Sequence, residues 1–240
     1  MISAVFFDGD QTLWDFELVM QSALTATLAE LQAARPGALS RSLTVKDLTI
    51  DRNQVAKDWE GREYNLARLR EWGFIRTLRR LQGGGPWTDA QDEVLAEQLS
   101  TSYFEHRDRD PALFDDTLPG LNALKSDYRL GLLSNGSRLP SKVGLDGYFE
   151  AIVFAQDHKV NKPDPEIFSI AQGLMEVPAG ECVLVGDHAL NDVVGAKRAG
   201  WKSIWLDRDG GNYKPPEGFT QRPDATISSL ADLPDILKTL

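Results

Sequence analysis

Two aspartates one residue apart, Asp8 and Asp10, end the apolar run in AVFFDGDQTLW, residues 4 to 14. A buried strand gains nothing from terminal charge, because taking a carboxylate out of water is costly unless a partner compensates it. Three other stretches place polar residues in the same way: LLSNGS with Ser134, Asn135 and Gly136, NKPDPEIF with Lys162, and VGDHALND with Asp187 and Asp192. Taken singly each is ordinary, since a strand-end Asp caps a helix, Ser-Asn-Gly makes a turn and a lone Lys is solvated. In an open parallel sheet, however, ligands sit beyond the carboxyl ends of the strands, and polar residues at several such ends describe one site.

Convergence of those ends has a definite electrostatic consequence. Asp8, Asp10 and Asp187 would repel one another, and like-charged carboxylates sharing a site either hold a proton or take up a cation. Oxygen donors with room for phosphate and water suit Mg²⁺. Lys162 brings a second positive charge, and Ser134 with the backbone N–H groups near Gly9, Asn135 and Gly136 suits a tetrahedral oxyanion. A carboxylate in such company acts as a covalent nucleophile, and a second carboxyl beside it serves as general acid and then general base. The Asp8 and Asp10 pair reads as that division of labour.

The elements that must position these residues follow from the hydrophobic pattern. Short apolar or β-branched runs recur at 4–7, 130–133, 151–154, 182–185 and 203–206, with helical signals between the later ones, which predicts an α/β fold with a parallel sheet covered on both faces. In KPDPEIFSIAQGL, Asp164 suits the N-cap and Pro165 the first helical position. In NDVVGAKRAGW, Asp192 falls in the first turn, Lys197 and Arg198 in the last, and Gly200 at the C-terminal cap. Residues 16–105 differ: ELVMQSALTATLAELQAA, LARLREWGFIRTLRRLQ and AQDEVLAEQLSTSYFEH are long helical segments without strand-like runs. GGGP at 83–86 separates two of them, and TDAQ at 88–91 has capping-box form. The expected organisation is a core of 1–15 and 106–240 interrupted after its first strand by a helical insert of 16–105.

Bulk properties narrow the function. A formal charge of −10 disfavours a long polyanion such as DNA, whose affinity comes from Lys and Arg on phosphates, yet one local cluster of donors suffices for a small phosphorylated ligand. No segment approaches the ~18 continuous apolar residues of a membrane span, and MISAVFFDGD lacks a basic leader and a cleavage site, so the expected location is the cytoplasm. The single cysteine, Cys182, sits in the apolar run CVLVGD and reads as a packed strand residue with an inert thiol.

The four stretches, in this order, resemble the motifs of the haloacid dehalogenase superfamily: FFDGDQTLW its first, Asp-x-Asp-x-Thr, then LLSNGS, NKPDPEIF and VGDHALND. DTLPGLNALK and GAKRAGW are similar to its connecting segments, so the likeness spans 1 to 15 and about 110 to 235. The resemblance implies a Rossmann-like doubly wound core with a smaller all-helical cap, in a subfamily that includes phosphoglycolate phosphatases and nucleotidases. It implies Mg²⁺-dependent hydrolysis of a phosphomonoester through an aspartyl phosphate. Asp8 is then the nucleophile, Asp10 the acid–base and Ser134 a phosphoryl ligand, while Lys162 neutralises charge. Mg²⁺ lies on Asp8, the Asp10 carbonyl and Asp187, and Asp192 supports the metal shell or orients Lys162.

Other readings use parts of the same set. Metal-free dehalogenases similar to this core keep the nucleophile but typically lack the second Asp and the Gly-Asp of the fourth motif, both present here. A sugar-phosphate mutase shares the acid and the metal, and a silent binding protein would share the fold. Gln11 fills a variable position, and His188 follows Asp187 where small hydroxyl residues are common in relatives. In the insert, Arg62, Arg68, Arg70, Arg76, Arg79 and Arg80 interleave with Trp59, Tyr64, Trp72 and Phe74; a helical reading makes most of the aromatics core and several arginines solvated, with one or two left to meet a second anionic group or a base. Trp14 and Phe16 are similar to aromatics of members that hydrolyse nucleoside monophosphates, and they equally suit packing at the entry to the insert.

Overall fold

The computed structural model of the protein describes residues 1–59, 65–83, 90–109 and 112–240. The chain divides into two compact units, one of Met1–Phe16 with Ala112–Leu240 and one of Glu17–Pro111. Among the described residues the α-helices in chain order are α1 (Phe16–Ala34), α2 (Ala38–Arg41), α3 (Val45–Asp58), α4 (Leu66–Leu81), α5 (Ala90–Arg107), α6 (Thr117–Leu124), α7 (Ala155–His158), α8 (Pro165–Met175), α9 (Gly195–Arg198) and α10 (Leu233–Leu237). The strands are β1 (Ala4–Phe7), β2 (Arg129–Ser134), β3 (Ala151–Phe154), β4 (Cys182–Gly186), β5 (Lys202–Leu206) and β6 (Ala225–Ile227).

The first unit holds all the strands in one parallel sheet of order β3-β2-β1-β4-β5-β6. The chain builds outward from β1 on one side and then crosses to the other, so β1 and β4 flank a switch point, where an open α/β sheet binds its ligands. Side chains alternate along each strand. Val5 and Phe7 enter a layer with Leu121 and Leu124 of α6 and Leu233 and Leu237 of α10, whereas Ala4 and Phe6 face Ile167, Phe168 and Met175 of α8. Because both faces are covered, β1 reads as an unbroken apolar run. Each fully buried Phe contributes roughly 1.5–3 kcal/mol of transfer free energy.

The caps explain where the helices begin. The Asp164 carboxylate accepts the Glu166 N–H at 2.9 Å, and Pro165 opens α8. Asp192 departs from the simple expectation: it lies in a π-helical turn, Ala189–Val194, that leads into α9. His188 caps this turn through Nδ1, which accepts the Asn191 N–H at 3.1 Å.

The second unit is entirely helical among its described residues. Leu24 and Leu31 of α1, Leu48 of α3, Phe74 and Leu78 of α4, and Leu99 and Tyr103 of α5 share its core. Thr44 and Asp47 form the capping box that starts α3, and Asn65 caps α4 by accepting the Arg68 N–H at 3.1 Å. Several of its arginines have structural partners. Arg80 and Arg76 pair with buried Asp51 at 2.9 and 3.4 Å, Arg68 pairs with Glu71, and the Arg70 guanidinium lies 4.1 Å from the Tyr103 ring centre. Arg62, Tyr64, Gly84 to Pro86 of GGGP, and Thr88 and Asp89 of TDAQ lie outside the described residues. No described helix is long and apolar enough to cross a membrane.

Candidate active site

The ends of β1 and β4 are tied together where the chemistry-bearing residues begin. Phe7 is in register with Val185, and the Asp8 N–H donates to the Val185 carbonyl at 2.9 Å. Asp8 therefore leaves the sheet beside Asp187. Asp8, Asp187 and Asp192 each offer a carboxylate oxygen, and these oxygens all lie within 4.8 Å of one another. The carboxylate trio thus contains Asp192, whereas the Asp10 carboxylate, grouped with Asp8 and Asp187 on sequence grounds, turns to the indole of Trp14, whose N–H donates to Asp10 Oδ1 at 2.7 Å.

Lys162 is the cation of the cluster. Its Nζ donates to Asp8 Oδ1 and to Asp192 Oδ1, each at 2.7 Å, and the residue is 3% exposed. Asn135 sets this position: its side chain accepts the Lys162 N–H at 2.8 Å and donates to the Lys162 carbonyl at 2.9 Å. The Asn135 amide is therefore directed at the lysine loop. Ser134, at the end of β2, accepts the Gly136 N–H at 3.0 Å. That leaves the hydroxyl hydrogen of Ser134 to donate, and it directs the Gly136 N–H to Ser134, where the sequence reading aimed it at a ligand.

Charge in the cluster is unbalanced, with three carboxylates around one ammonium. Burial lowers the pKa of Lys162, but Asp192 and Asp8 and the hydrogen bonds they accept hold it above the ordinary lysine value. The excess falls on the carboxylates. Burial first, with Asp192, Asp187 and Asp10 adding to it against the pull of Lys162, raises Asp8 well above the usual range. Burial and then Asp192 push Asp187 up to about 6, against the hydrogen bond from Thr12. Such a set stores a demand for positive charge. With oxygen donors only, it fits a hard divalent cation rather than a soft one.

Further residues support the site, of which Thr12 is the threonine of the Asp-x-Asp-x-Thr motif. Thr12 is buried and donates its hydroxyl to Asp187 Oδ1 at 3.2 Å. The Trp205 indole N–H donates to the Asp187 carbonyl at 3.0 Å. Arg208 donates to the Thr12 carbonyl at 2.8 Å while gripping Asp116 through both terminal nitrogens at 2.9 and 3.0 Å. Trp205 and Arg208 come from β5 and the loop after it, and the polar WLDRDG stretch there is the sequence signal that would have found them. His188 donates its backbone N–H to Asp192 Oδ2 at 2.9 Å, and its ring Nδ1 serves the local cap. Cys182 is buried in β4, and burial pushes its thiol up to about 11.

A buried carboxylate at the end of the first strand, a lysine bonded to it and a carboxylate trio at the switch point form one acidic cluster where a parallel sheet binds its ligands. Residues 2–200 match the family model for hydrolases of the haloacid dehalogenase-like type. The chain belongs to the haloacid dehalogenase-like hydrolases and is an enzyme of their phosphatase type. Among curated proteins it is 34% identical to a pyrimidine 5'-nucleotidase of Escherichia coli (strain K12), covering 97% of this chain and 96% of that protein. It is 28% identical to the N-acylneuraminate-9-phosphatase of Mus musculus, covering 100% and 95%. Among solved structures, the 2-haloacid dehalogenase from Pseudomonas syringae pv. Tomato DC3000 superposes with a TM-score of 0.80 at 28% identity, covering 100% of this chain and 99% of that one.

Proposed function

We propose that this protein hydrolyses the phosphate monoester of a small metabolite through an aspartyl phosphate on Asp8, with Mg²⁺ as its metal. The observation that carries this reading is Asp8 itself, buried between the Lys162 ammonium and the Asp187 carboxylate, with a second carboxyl two residues on. Asp8 attacks phosphorus, and the phosphoryl group passes to its carboxylate as the ester bond breaks. Asp10 gives a proton to the departing oxygen, then takes one from the water that attacks the aspartyl phosphate. Lys162 orients Asp8, favours its ionised form against burial and offsets charge on the phosphoryl oxygens, while the Ser134 hydroxyl donates to them.

Asp8 and Asp187, with the Asp10 carbonyl, would hold Mg²⁺, and Asp192 supports the set through Lys162 and the His188 N–H. When bound, the cation neutralises the carboxylates enough for an anionic phosphate to approach. Within this reading the core of 1–15 and 106–240 carries the chemistry, and the insert of 16–105 carries the choice of ester. The names of the relatives span a nucleotidase and a sugar-acid phosphatase, so the substrate class to test includes nucleoside monophosphates and sugar or organic-acid phosphates.

The similarity to a 2-haloacid dehalogenase raises a second reading, in which Asp8 displaces halide from carbon. Asp10 and the acidic cluster speak against it, because halide leaves without protonation. Phosphate release from a panel of nucleotides and sugar phosphates, with and without Mg²⁺ and with Asp8→Asn as blank, tests the first reading. Halide release from 2-chloropropionate tests the second. Metal-dependent phosphate release that is absent from the blank is expected; halide release in its place would transfer the assignment.

A further inference from the structure

The Asp10 carboxyl is held by a group to which the proposed chemistry gives no part. Trp14 is fully buried, and its indole N–H reaches Asp10 Oδ1 at 2.7 Å. A tight turn brings it there. The Gly9 carbonyl accepts the Leu13 N–H at 2.9 Å, Gln11 adopts φ 60° and donates its N–H to the Trp14 carbonyl at 2.9 Å, and the Asp10 and Trp14 backbones form a bridge. The ring then lies against Gly9, where any Cβ would run into it. On its other side the carboxyl meets Gly136, whose Cβ, were there one, would stand 2.7 Å from Asp10 Oδ2 and 3.2 Å from Ser134 Oγ.

An indole N–H donates and never accepts. While it binds Oδ1, that oxygen is the acceptor, and because the carbonyl oxygen of a carboxylic acid accepts better than its hydroxyl oxygen, the contact favours the proton on Oδ2, the oxygen nearest Gly136. We propose that Trp14 is a positioning residue for proton transfer: it fixes the orientation of Asp10 and reserves Oδ2 as the oxygen that exchanges the proton. This rests on the acid–base role of Asp10 in the proposed function. In the first half-reaction the Oδ2 proton passes to the alkoxide oxygen as its bond to phosphorus breaks. In the second, Oδ2 takes a proton from water as the water oxygen bonds to phosphorus and the Asp8 oxygen leaves.

The leaving group supplies the test. p-Nitrophenolate departs without a proton, whereas an alkoxide requires one, and kcat/KM reports the step in which it leaves. For Trp14→Phe we expect kcat/KM to fall about 10- to 100-fold on the alkyl phosphate that the wild type hydrolyses best, and no more than about 2-fold on p-nitrophenyl phosphate. A second variant, Gly136→Ala, presses on Oδ2 and on Ser134 Oγ from the opposite side without cutting into the buried ring; it is expected to lose activity on both esters and several-fold more on the alkyl phosphate, which keeps the test open if Trp14→Phe does not fold. A loss shared equally by the two esters in the folded variants, or no loss, would overturn the proposal. Absence of phosphate release from either ester by the wild type would instead count against the proposed function.

Discussion

Asn135 holds Lys162 by both of its backbone groups, accepting the N–H at 2.8 Å and donating to the carbonyl at 2.9 Å. The lysine that faces Asp8 is thereby positioned from the end of β2. Asn135→Ala removes both bonds and leaves the lysine loop without its clamp. The expected result is a loss of roughly 1–3 kcal/mol in urea unfolding, with kcat/KM falling together with it. Unchanged stability and activity in this variant would show that the clamp positions nothing.

Lys162→Met removes the ammonium from among Asp8, Asp187 and Asp192. Breaking a buried pair by deleting one partner costs about 3–5 kcal/mol, because the other charge stays behind. In the metal-free protein the variant is expected to melt well below the wild type, and Mg²⁺ should recover more of its stability than it adds to the wild type. Thermal melts with and without Mg²⁺ check this, and equal Mg²⁺ shifts in the two proteins would contradict it.

The raised pKa of Asp187 gives a pH dependence of definite sign. Its folded value of about 6 lies above the ordinary 3.8. A group raised in this way stabilises the fold fully below its unfolded pKa and loses that contribution as the pH climbs through the folded one. The metal-free site thus becomes a growing burden between these values, and a cation competes with the proton for the same oxygens. Stabilisation by Mg²⁺ should accordingly be larger at about pH 7.5 than at about pH 5; equal melting shifts at the two pH values would contradict the assignment.

Thr12→Val removes the hydroxyl that orients Asp187 while nearly keeping its shape. Loss of a group that orients a metal ligand typically weakens metal binding about 10- to 100-fold. The Mg²⁺ concentration for half-maximal phosphate release should rise accordingly, with activity recovered at saturating metal. Loss of activity that Mg²⁺ does not restore would assign Thr12 another role.

Much of the fold was legible because burial leaves a pattern. β1, β2 and β4 are covered on both faces and, like the less covered β3 and β5, read as short apolar runs, and α1, α4 and α5 carry long runs of good helix formers. β6 is only Ala225–Ile227, too short to register, and α3 is so polar, VKDLTIDRNQVAKD, that its Leu48 and Val55 give a weak stripe. At the site, residue types were readable but side-chain directions were not. Nothing in SNG says that the Asn135 amide turns to the lysine loop, and nothing in DGDQTLW says that the indole of Trp14 claims a carboxylate oxygen. Such contacts depend on how a turn folds back, or on residues brought together from separate loops, and so they emerge only in three dimensions.

In the proposed reaction Asp8 carries the phosphoryl group. The most direct measurement is rapid quenching of the enzyme during turnover of a phosphoryl-labelled ester, followed by mapping of the labelled peptide. Label is expected on the peptide that contains Asp8, formed and lost at rates that support turnover and missing from Asp8→Asn. Label on another residue, or steady phosphate release with no labelled chain on the turnover timescale, would contradict it.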